Sequence, residues 1–187
     1  MAGRLEGRRI AFLTANEGVE QVELTVPWEA VRDEGAEPVL LAPEVGPVQA
    51  FNHLDKGDAF TATVAVADAD PSDYDALVLP GGVANPDQLR TFPHAVHFVR
   101  QFAGTGRIVA AICHAPWTLI DAGLVEGRHL TSWPSVRTDL VHAGARWSDE
   151  PLVVDGNLIS SRNPDDLPVF CDALIEKASG YPRASAA

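Results

Sequence analysis

Short, almost continuously apolar runs alternate along this chain with longer segments whose apolar residues recur at helical spacing. The short runs have the length of strands that are buried on both faces of a sheet. The predicted strands cover residues 9–14, 38–42, 76–80, 107–112 and 129–132. The predicted helices cover residues 20–35, 95–102, 115–122, 136–143 and 165–178. In the first helix, the apolar stripe is formed by Val22, Val26, Ala30 and Val31, and Gly35 ends the helix.

Two further pairs of runs predict hairpins. Residues 48–51 and 62–66 form an excursion between the second and third strands, and residues 152–154 and 158–160 flank the turn sequence Asp-Gly-Asn. Apolar strands that alternate with helices imply a mostly parallel sheet with helices on both faces. We therefore predict an α/β fold, a flavodoxin-like (Rossmann-like) three-layer sandwich, in a single domain over residues 1–187.

Composition and charge exclude some classes of function. The chain has 187 residues and a formal net charge of −12, with scattered rather than clustered basic residues, which argues against a nucleic-acid partner. No apolar run approaches the ~20 residues that a membrane span needs, and the charged start lacks the apolar centre of a signal peptide. We expect a cytoplasmic protein without a membrane partner, in which the two cysteines are free thiols.

Ligands of open parallel sheets bind beyond the carboxyl ends of the strands. At these ends lie residues 14–20, 80–85 and 113–116, where the unusual residues of this chain gather. Cys113 follows a predicted strand directly, and Ala115-Pro116 opens a helix, which is the layout of a nucleophile elbow. A thiol at such a turn meets unpaired backbone N–H groups that stabilise a thiolate. The alternative is that Cys113 is a small buried apolar residue, the commoner fate of a free cysteine.

The neighbours of Cys113 allow more than one interpretation. His114 is either an acid/base partner of the thiol or a donor of its backbone N–H to an oxyanion. Glu20 begins the first helix, where an acidic residue has an ordinary electrostatic explanation, and Glu17 and Glu23 compete with it for any functional role. Gly81 and Gly82 form either a plain tight turn or, with His114, an amide site for an oxyanion. No metal-ligand spacing accompanies Cys113 and His114, so we predict no metal and no cofactor.

Several motifs, in order, resemble the ThiJ/PfpI superfamily, and most closely its PfpI-like intracellular protease and general-stress-protein branch. The matching segments are residues 13–17, 20–24, 75–82, 112–116, 127–134, 153–157 and 160–162. The likeness covers about residues 8–177. It implies a nucleophilic Cys113 on the elbow, a neighbouring His114, and a glutamate that shares a proton with the thiolate, for which Glu20 is the matching position.

The same resemblance implies a homo-oligomer, a dimer at least, with a hexamer as the larger alternative. The protease branch places an acidic residue of a neighbouring subunit near the histidine, and within residues 83–89 the candidate is Asp87. The family usually has glycine after the Cys-His pair, and Ala115 departs from that pattern.

Three functions remain open at this point. The first is cofactor-independent chemistry on a small aldehyde, in which Cys113 adds to an α-oxoaldehyde or its adduct (glyoxalase III or deglycase type). The second is peptide hydrolysis by a cysteine peptidase, with Cys113, His114 and the amides of Gly81 and Gly82. The third is a non-enzymatic stress protein with a redox-sensing cysteine. A carboxylic acid against the thiol favours the small aldehyde over the peptide substrate.

Overall fold

The computed structural model describes residues 3–181, so the ends of the predicted domain 1–187 lie outside the described residues. In chain order the strands are β1 Arg9–Leu13, β2 Glu17–Glu20, β3 Glu37–Ala42, β4 Gly46–Asn52, β5 Asp55–Ala62, β6 Val64–Ala65, β7 Ala76–Leu79, β8 Ile108–Ile112, β9 His129–Leu130, β10 Arg146–Trp147, β11 Val153–Asp155 and β12 Leu158–Ser161. The helices are α1 Gln21–Asp33, α2 Ala84–Leu89, α3 Pro93–Gly104, α4 Pro116–Asp121, α5 Arg137–His142 and α6 Leu167–Gly180.

One seven-stranded sheet, in the order β11-β12-β8-β7-β1-β3-β6, runs through the centre of the molecule. All its neighbouring pairs are parallel except β11 with β12. Side chains of β1 alternate between two cores, with Ile10 and Phe12 on one face and Ala11 and Leu13 on the other. Helices α1 and α6 cover the first face, and α3, α4 and α5 cover the second. The predicted three-layer α/β sandwich is confirmed.

The excursion after β3 differs from the prediction. Strand β4 pairs antiparallel with β5, whereas the predicted partner run contributes β6 to the edge of the main sheet, beside β3. Strand β5 is largely polar and exposed, so it lacks the apolar alternation that marks a strand in sequence. The short strand β2, which pairs with β4, was not predicted either.

Helix α1 presents a different face to the core than its apolar residues indicate. Its buried side chains are Glu23, Leu24, Pro27 and Val31, whereas Val26 is 42% exposed. Only Val31 of the predicted stripe is fully buried. The helix is thus turned so that Glu23 heads the inward row at i, i+4 and i+8 with Pro27 and Val31. This orientation places a carboxyl group inside the protein.

Within residues 3–181, no helix combines the length and the apolarity that crossing a bilayer requires.

Candidate active site

Cys113 lies on a strained turn between β8 and α4. Its φ of 64° is in the left-handed region, which a residue with a Cβ adopts at an energetic cost. Two hydrogen bonds keep the turn in place: the Cys113 N–H donates to the Ser161 carbonyl at 3.0 Å, and the Trp133 N–H donates to the Cys113 carbonyl at 2.9 Å. The strand–turn–helix layout therefore presents the thiol at the carboxyl edge of the sheet.

The carboxyl group in contact with this thiol belongs to Glu23. Glu23 is fully buried in the first turn of α1, and its carboxyl group lies beside the Cys113 thiol, whose pKa it raises. Its Oε2 accepts a hydrogen bond from the Gly81 N–H at 2.8 Å, and its Oε1 has no hydrogen-bond partner among the described residues. Burial raises the pKa of Glu23 to about 8, so the carboxyl group carries a proton at neutral pH.

The thiol is affected by opposing groups. Burial raises the pKa of Cys113, and the neighbouring Glu23 raises it further. Hydrogen bonds from the backbone N–H groups of Gly82 and His114 lower it, because they stabilise the thiolate. A protonated Glu23 and these two amides together surround the sulfur with hydrogen-bond donors.

The glycine pair after β7 serves two different purposes. The Gly81 N–H is already used by Glu23, so of the predicted amide pair only the Gly82 N–H is directed at the sulfur. A Cβ on Gly81 would lie 2.6 Å from Glu23 Oε2 and 2.7 Å from Cys113 Cβ. Gly82 has a φ of +86°, and a Cβ there would lie 2.3 Å from the Gly18 carbonyl oxygen. Both positions need glycine because thiol, carboxyl and backbone come together here.

His114 lies beside the thiol with its ring held on both edges. Its Nδ1 is 3.2 Å from Cys113 Sγ, and its Nε2 is 3.3 Å from Ser135 Oγ. The ring stacks on Trp133, with 5.7 Å between the centroids, and tilts against Trp117 on its other side. Burial lowers the pKa of His114 to about 4, so the imidazole is neutral at physiological pH.

Glu20 lies at the rim of the site, not against the sulfur. Its Oε2 accepts a hydrogen bond from the His53 N–H at 3.0 Å, and His53 Nδ1 is 3.9 Å away. His53 itself is at the tip of the β4–β5 hairpin with a φ of 58°. The expectation that Glu20 is the carboxyl group beside the thiol is therefore corrected: Glu23, one helical turn later, occupies that place.

Asn85 ties two of these loops together. Its buried side chain accepts a hydrogen bond from the Ala15 N–H at 2.7 Å and donates to the carbonyl oxygens of Pro80 and Gly81 at 2.9 Å and 3.0 Å. It thus holds the loop after β1 against the loop after β7. The sequence places Asn85 in the expected region, but its bonding role depends on the fold.

A cavity of about 190 Å³ opens above the thiol. This volume suits a small molecule and is below the usual range for drug-sized ligands. Its lining comes from six separate parts of the chain: Glu20, Glu23, His53, Leu54, Gly82, Val83, Cys113, His114, Trp133 and Pro164. Within residues 3–181, no group of three or more His, Cys, Asp or Glu side chains is arranged to hold a metal ion.

The structure places the remaining candidates elsewhere. Asp87 is exposed on α2 and does not line the cavity, so its contribution to a neighbouring subunit's site stays a prediction. Cys171 is buried on α6, and burial raises its pKa to about 12.

Two contributors were missed in the sequence analysis. Glu23 was named only as a competitor of Glu20; its spacing from Pro27 and Val31 was the signal that could have placed it inward. Ser135 lies on the loop after β9, and no local pattern links that loop to His114.

Comparison with known proteins identifies the family of this chain. Residues 8–177 match the family model described as the DJ-1/PfpI family. The chain is 40% identical over 159 residues to "Deglycase PH1704" of Pyrococcus horikoshii, covering 85% of this chain and 92% of that protein. It is 37% identical to "Putative cysteine protease YraA" of Bacillus subtilis over 163 residues, covering 87% and 94% of the two chains.

A solved structure shares the architecture. The crystal structure of Drosophila melanogaster DJ-1beta superposes with a TM-score of 0.80 at 27% sequence identity, and the match covers 93% of this chain and 91% of that one.

Proposed function

The chain belongs to the DJ-1/PfpI family, and from that premise we propose that it is a cysteine-dependent deglycase-type enzyme that acts on α-oxoaldehydes and their early adducts. The observation that carries the proposal is the contact between a protonated, fully buried Glu23 and the Cys113 thiol at the base of a small cavity. A carboxyl group with a pKa near the working pH exchanges protons in both directions, as this chemistry requires.

In the first step Cys113 Sγ bonds to the aldehyde carbon, C1. The S–H proton passes to the proton-exchanging groups beside it, and the carbonyl oxygen takes up one proton, so that a hemithioacetal forms without net loss of protons. In an early adduct, the sulfur instead displaces the amine or thiol at C1, which leaves with a proton. Hydrogen bonds from the Gly82 and His114 amides stabilise the thiolate during the attack.

In the second step a proton moves from C1 to C2. Glu23 in its ionised form removes the C1 proton, and protonated Glu23 returns one to C2, while the proton of the C1 hydroxyl group passes to the oxygen on C2. C1 is thereby oxidised to a thioester and C2 is reduced to an alcohol. Water then cleaves the thioester to an α-hydroxy acid and the free thiol. The electrons stay within the substrate, so the sequence needs no external oxidant or reductant.

Peptide hydrolysis is the second candidate, because YraA carries a protease name. A cysteine peptidase needs a histidine that can become an imidazolium and protonate the leaving amine. The lowered pKa of His114, about 4, opposes that role, and Ser135 rather than a carboxylate faces its Nε2 within the described chain. The cavity volume of about 190 Å³ also leaves little room for an extended peptide.

The test measures α-hydroxy acid formation from methylglyoxal, and amine release from its adduct with Nα-acetylarginine, for wild type and Cys113→Ala. Cys171→Ala is the matched control, since it removes the other buried thiol, which does not line the cavity. We expect turnover in wild type and in the control, and a fall to background in Cys113→Ala.

The same preparations are assayed for cleavage of casein and short fluorogenic peptides. Cys113-dependent peptide cleavage without α-hydroxy acid would replace the proposal with the peptidase. Acid formation that rises with free methylglyoxal but not with added adduct would restrict the activity to the free aldehyde, the glyoxalase III reaction.

A further inference from the structure

The charge distribution of the cavity is one-sided. Among its described lining residues are two carboxyl groups, Glu20 and Glu23, and no lysine or arginine. Since Glu23 carries a proton at neutral pH, Glu20 supplies the negative charge. The formal net charge of the whole chain, −12, has the same sign.

The Glu20 side chain is fixed and largely enclosed. Its side chain is 10% exposed, and the backbone N–H of His53 holds Oε2 at 3.0 Å. The negative charge of Glu20 raises the pKa of Glu23, so its field reaches the group that contacts the sulfur. A charge held in a partly enclosed site is screened less than one at the open surface.

An aromatic face completes the lining. Trp133 is 39% exposed, lines the cavity and stacks on His114. An indole face attracts cations, and guanidinium groups also stack on it because they are planar. An indole ring and a carboxylate that line one small cavity therefore favour the same kind of ligand.

We propose that Glu20 and Trp133 form a cation-selecting subsite, so that the preferred substrates carry a positive charge, such as a guanidinium or ammonium group, close to the reacting carbonyl. Aldehydes and adducts that carry a carboxylate, sulfonate or phosphate group at that position are disfavoured. The substrate assignment rests on the proposed deglycase-type function, whereas the charge selection itself does not.

The first experiment probes charge selection without turnover. Cys113 is treated, in a Cys171→Ala background, with three methanethiosulfonates that carry a trimethylammonioethyl, a sulfonatoethyl or a methyl group. Each transfers its thioalkyl group to the sulfur as a disulfide and releases methanesulfinate. Rates are followed by mass spectrometry and divided by the rates of the same reagents with 2-mercaptoethanol.

We expect the cation-to-anion rate ratio to exceed that of the free thiol by roughly tenfold or more, because one enclosed charge attracts one reagent and repels the other. Glu20→Gln should lower the ratio about tenfold. Glu17→Gln is the matched control: it removes the same charge from the same strand, but Glu17 is exposed and does not line the cavity. Its ratio should stay within about twofold of the parent.

A cation-to-anion rate ratio equal to that of the free thiol, or an equal change in Glu20→Gln and Glu17→Gln, would overturn the subsite.

The second measurement compares kcat/KM for the methylglyoxal hemithioacetals of 2-(dimethylamino)ethanethiol and 3-mercaptopropionate. We expect kcat/KM to be about tenfold higher for the former. Loss of turnover with an intact rate ratio would reject the proposed function but leave the subsite. Normal turnover without preference for the cation would reject the subsite alone.

Discussion

The carboxyl group of Glu23, in the first turn of α1, lies beside the thiol of Cys113 on the turn after β8 and raises the pKa of that thiol. Neither group is near the other in sequence, and each is buried. Since the Gly81 N–H holds one carboxyl oxygen, the other is left to exchange protons with the thiol or a substrate. The first two predictions below follow from this pairing.

Glu23→Gln should lower kcat about 10²- to 10⁴-fold, the range typical of losing a positioned proton donor and acceptor. Glutamine keeps the size of the side chain and resembles the protonated acid, so we expect the fold to persist. The measurement is steady-state α-hydroxy acid formation, with Glu17→Gln as the control that makes the same substitution at an exposed position outside the cavity. A kcat within tenfold of wild type would show that another group moves the proton.

The free energy of unfolding should decrease as the pH rises, because of the raised pKa of Glu23. The pKa of this carboxyl group is about 8 in the folded protein against 4.5 as the ordinary value, so between these pH values the folded state binds more protons than the unfolded state. Its stabilising contribution is complete below about pH 4.5 and is lost as the pH rises through 8. The free energy of unfolding, measured by denaturant titration, should fall between pH 5 and pH 8.5 by a few kcal/mol more in wild type than in Glu23→Gln. Equal differences in the two proteins would contradict the raised pKa.

His114 should remain neutral through the physiological range, because its pKa is lowered to about 4 by burial. In NMR spectra assigned by comparison with His114→Asn, its ring signals should not titrate between pH 8 and pH 5. The contribution of the neutral His114 ring to folding stability is complete above about pH 6.5 and is lost as the pH falls through 4. A midpoint near pH 6.5 would mean that the ring is solvated.

Ser135 should act as a positioning residue for that ring, because its hydroxyl group faces His114 Nε2 at 3.3 Å. Ser135→Ala should change the tautomer populations of His114, read from its ring ¹⁵N shifts, and move the pH profile of kcat/KM. Ser135→Thr keeps a hydroxyl group and should restore the wild-type values. Unchanged ¹⁵N shifts in Ser135→Ala would show that Trp117, Trp133 and the Cys113 thiol hold the ring without Ser135.

Gly81→Ala should abolish activity and destabilise the fold by a few kcal/mol, because its Cβ would come within 2.7 Å of the Ile112 carbonyl oxygen and equally close to Glu23 and Cys113. Gly104→Ala is the control: nothing lies within 4 Å of its added Cβ, and the residue ends α3. That variant should be neutral or up to about 1 kcal/mol more stable. Thermal unfolding and activity assays of the two variants measure the difference. A stable, active Gly81→Ala protein would contradict the packing described.

Much of the fold was predictable because its signals are local. Continuously apolar runs identify β1, β3, β7 and β8, and parallel pairing follows from the helices between them. Strand β5 was missed because its exposed, polar residues carry no alternation, and α2 was missed because six residues span fewer than two turns.

The carboxyl group of the site could not be assigned in the same way. Glu20 and Glu23 are three residues apart, and both come at the start of a helix. Which of the two points inward depends on the rotation of α1 about its axis against the sheet and α6. That rotation is set by the packing of the whole core. The apolar stripe of the helix indicated a different face, because Val22 and Val26 border an outer groove.

By itself, the sequence determined the α/β sandwich and the turn that presents Cys113 beside His114, since strand, turn and helix signals are contiguous there. Only the tertiary structure decided that Glu23 meets the thiol, that the Gly81 N–H is engaged by this carboxyl group, and that Trp133 and Ser135 hold the His114 ring. These contacts join segments from separate strands and loops. They arise when parallel strands bring their carboxyl ends to one edge, and no local pattern encodes the distances across that edge.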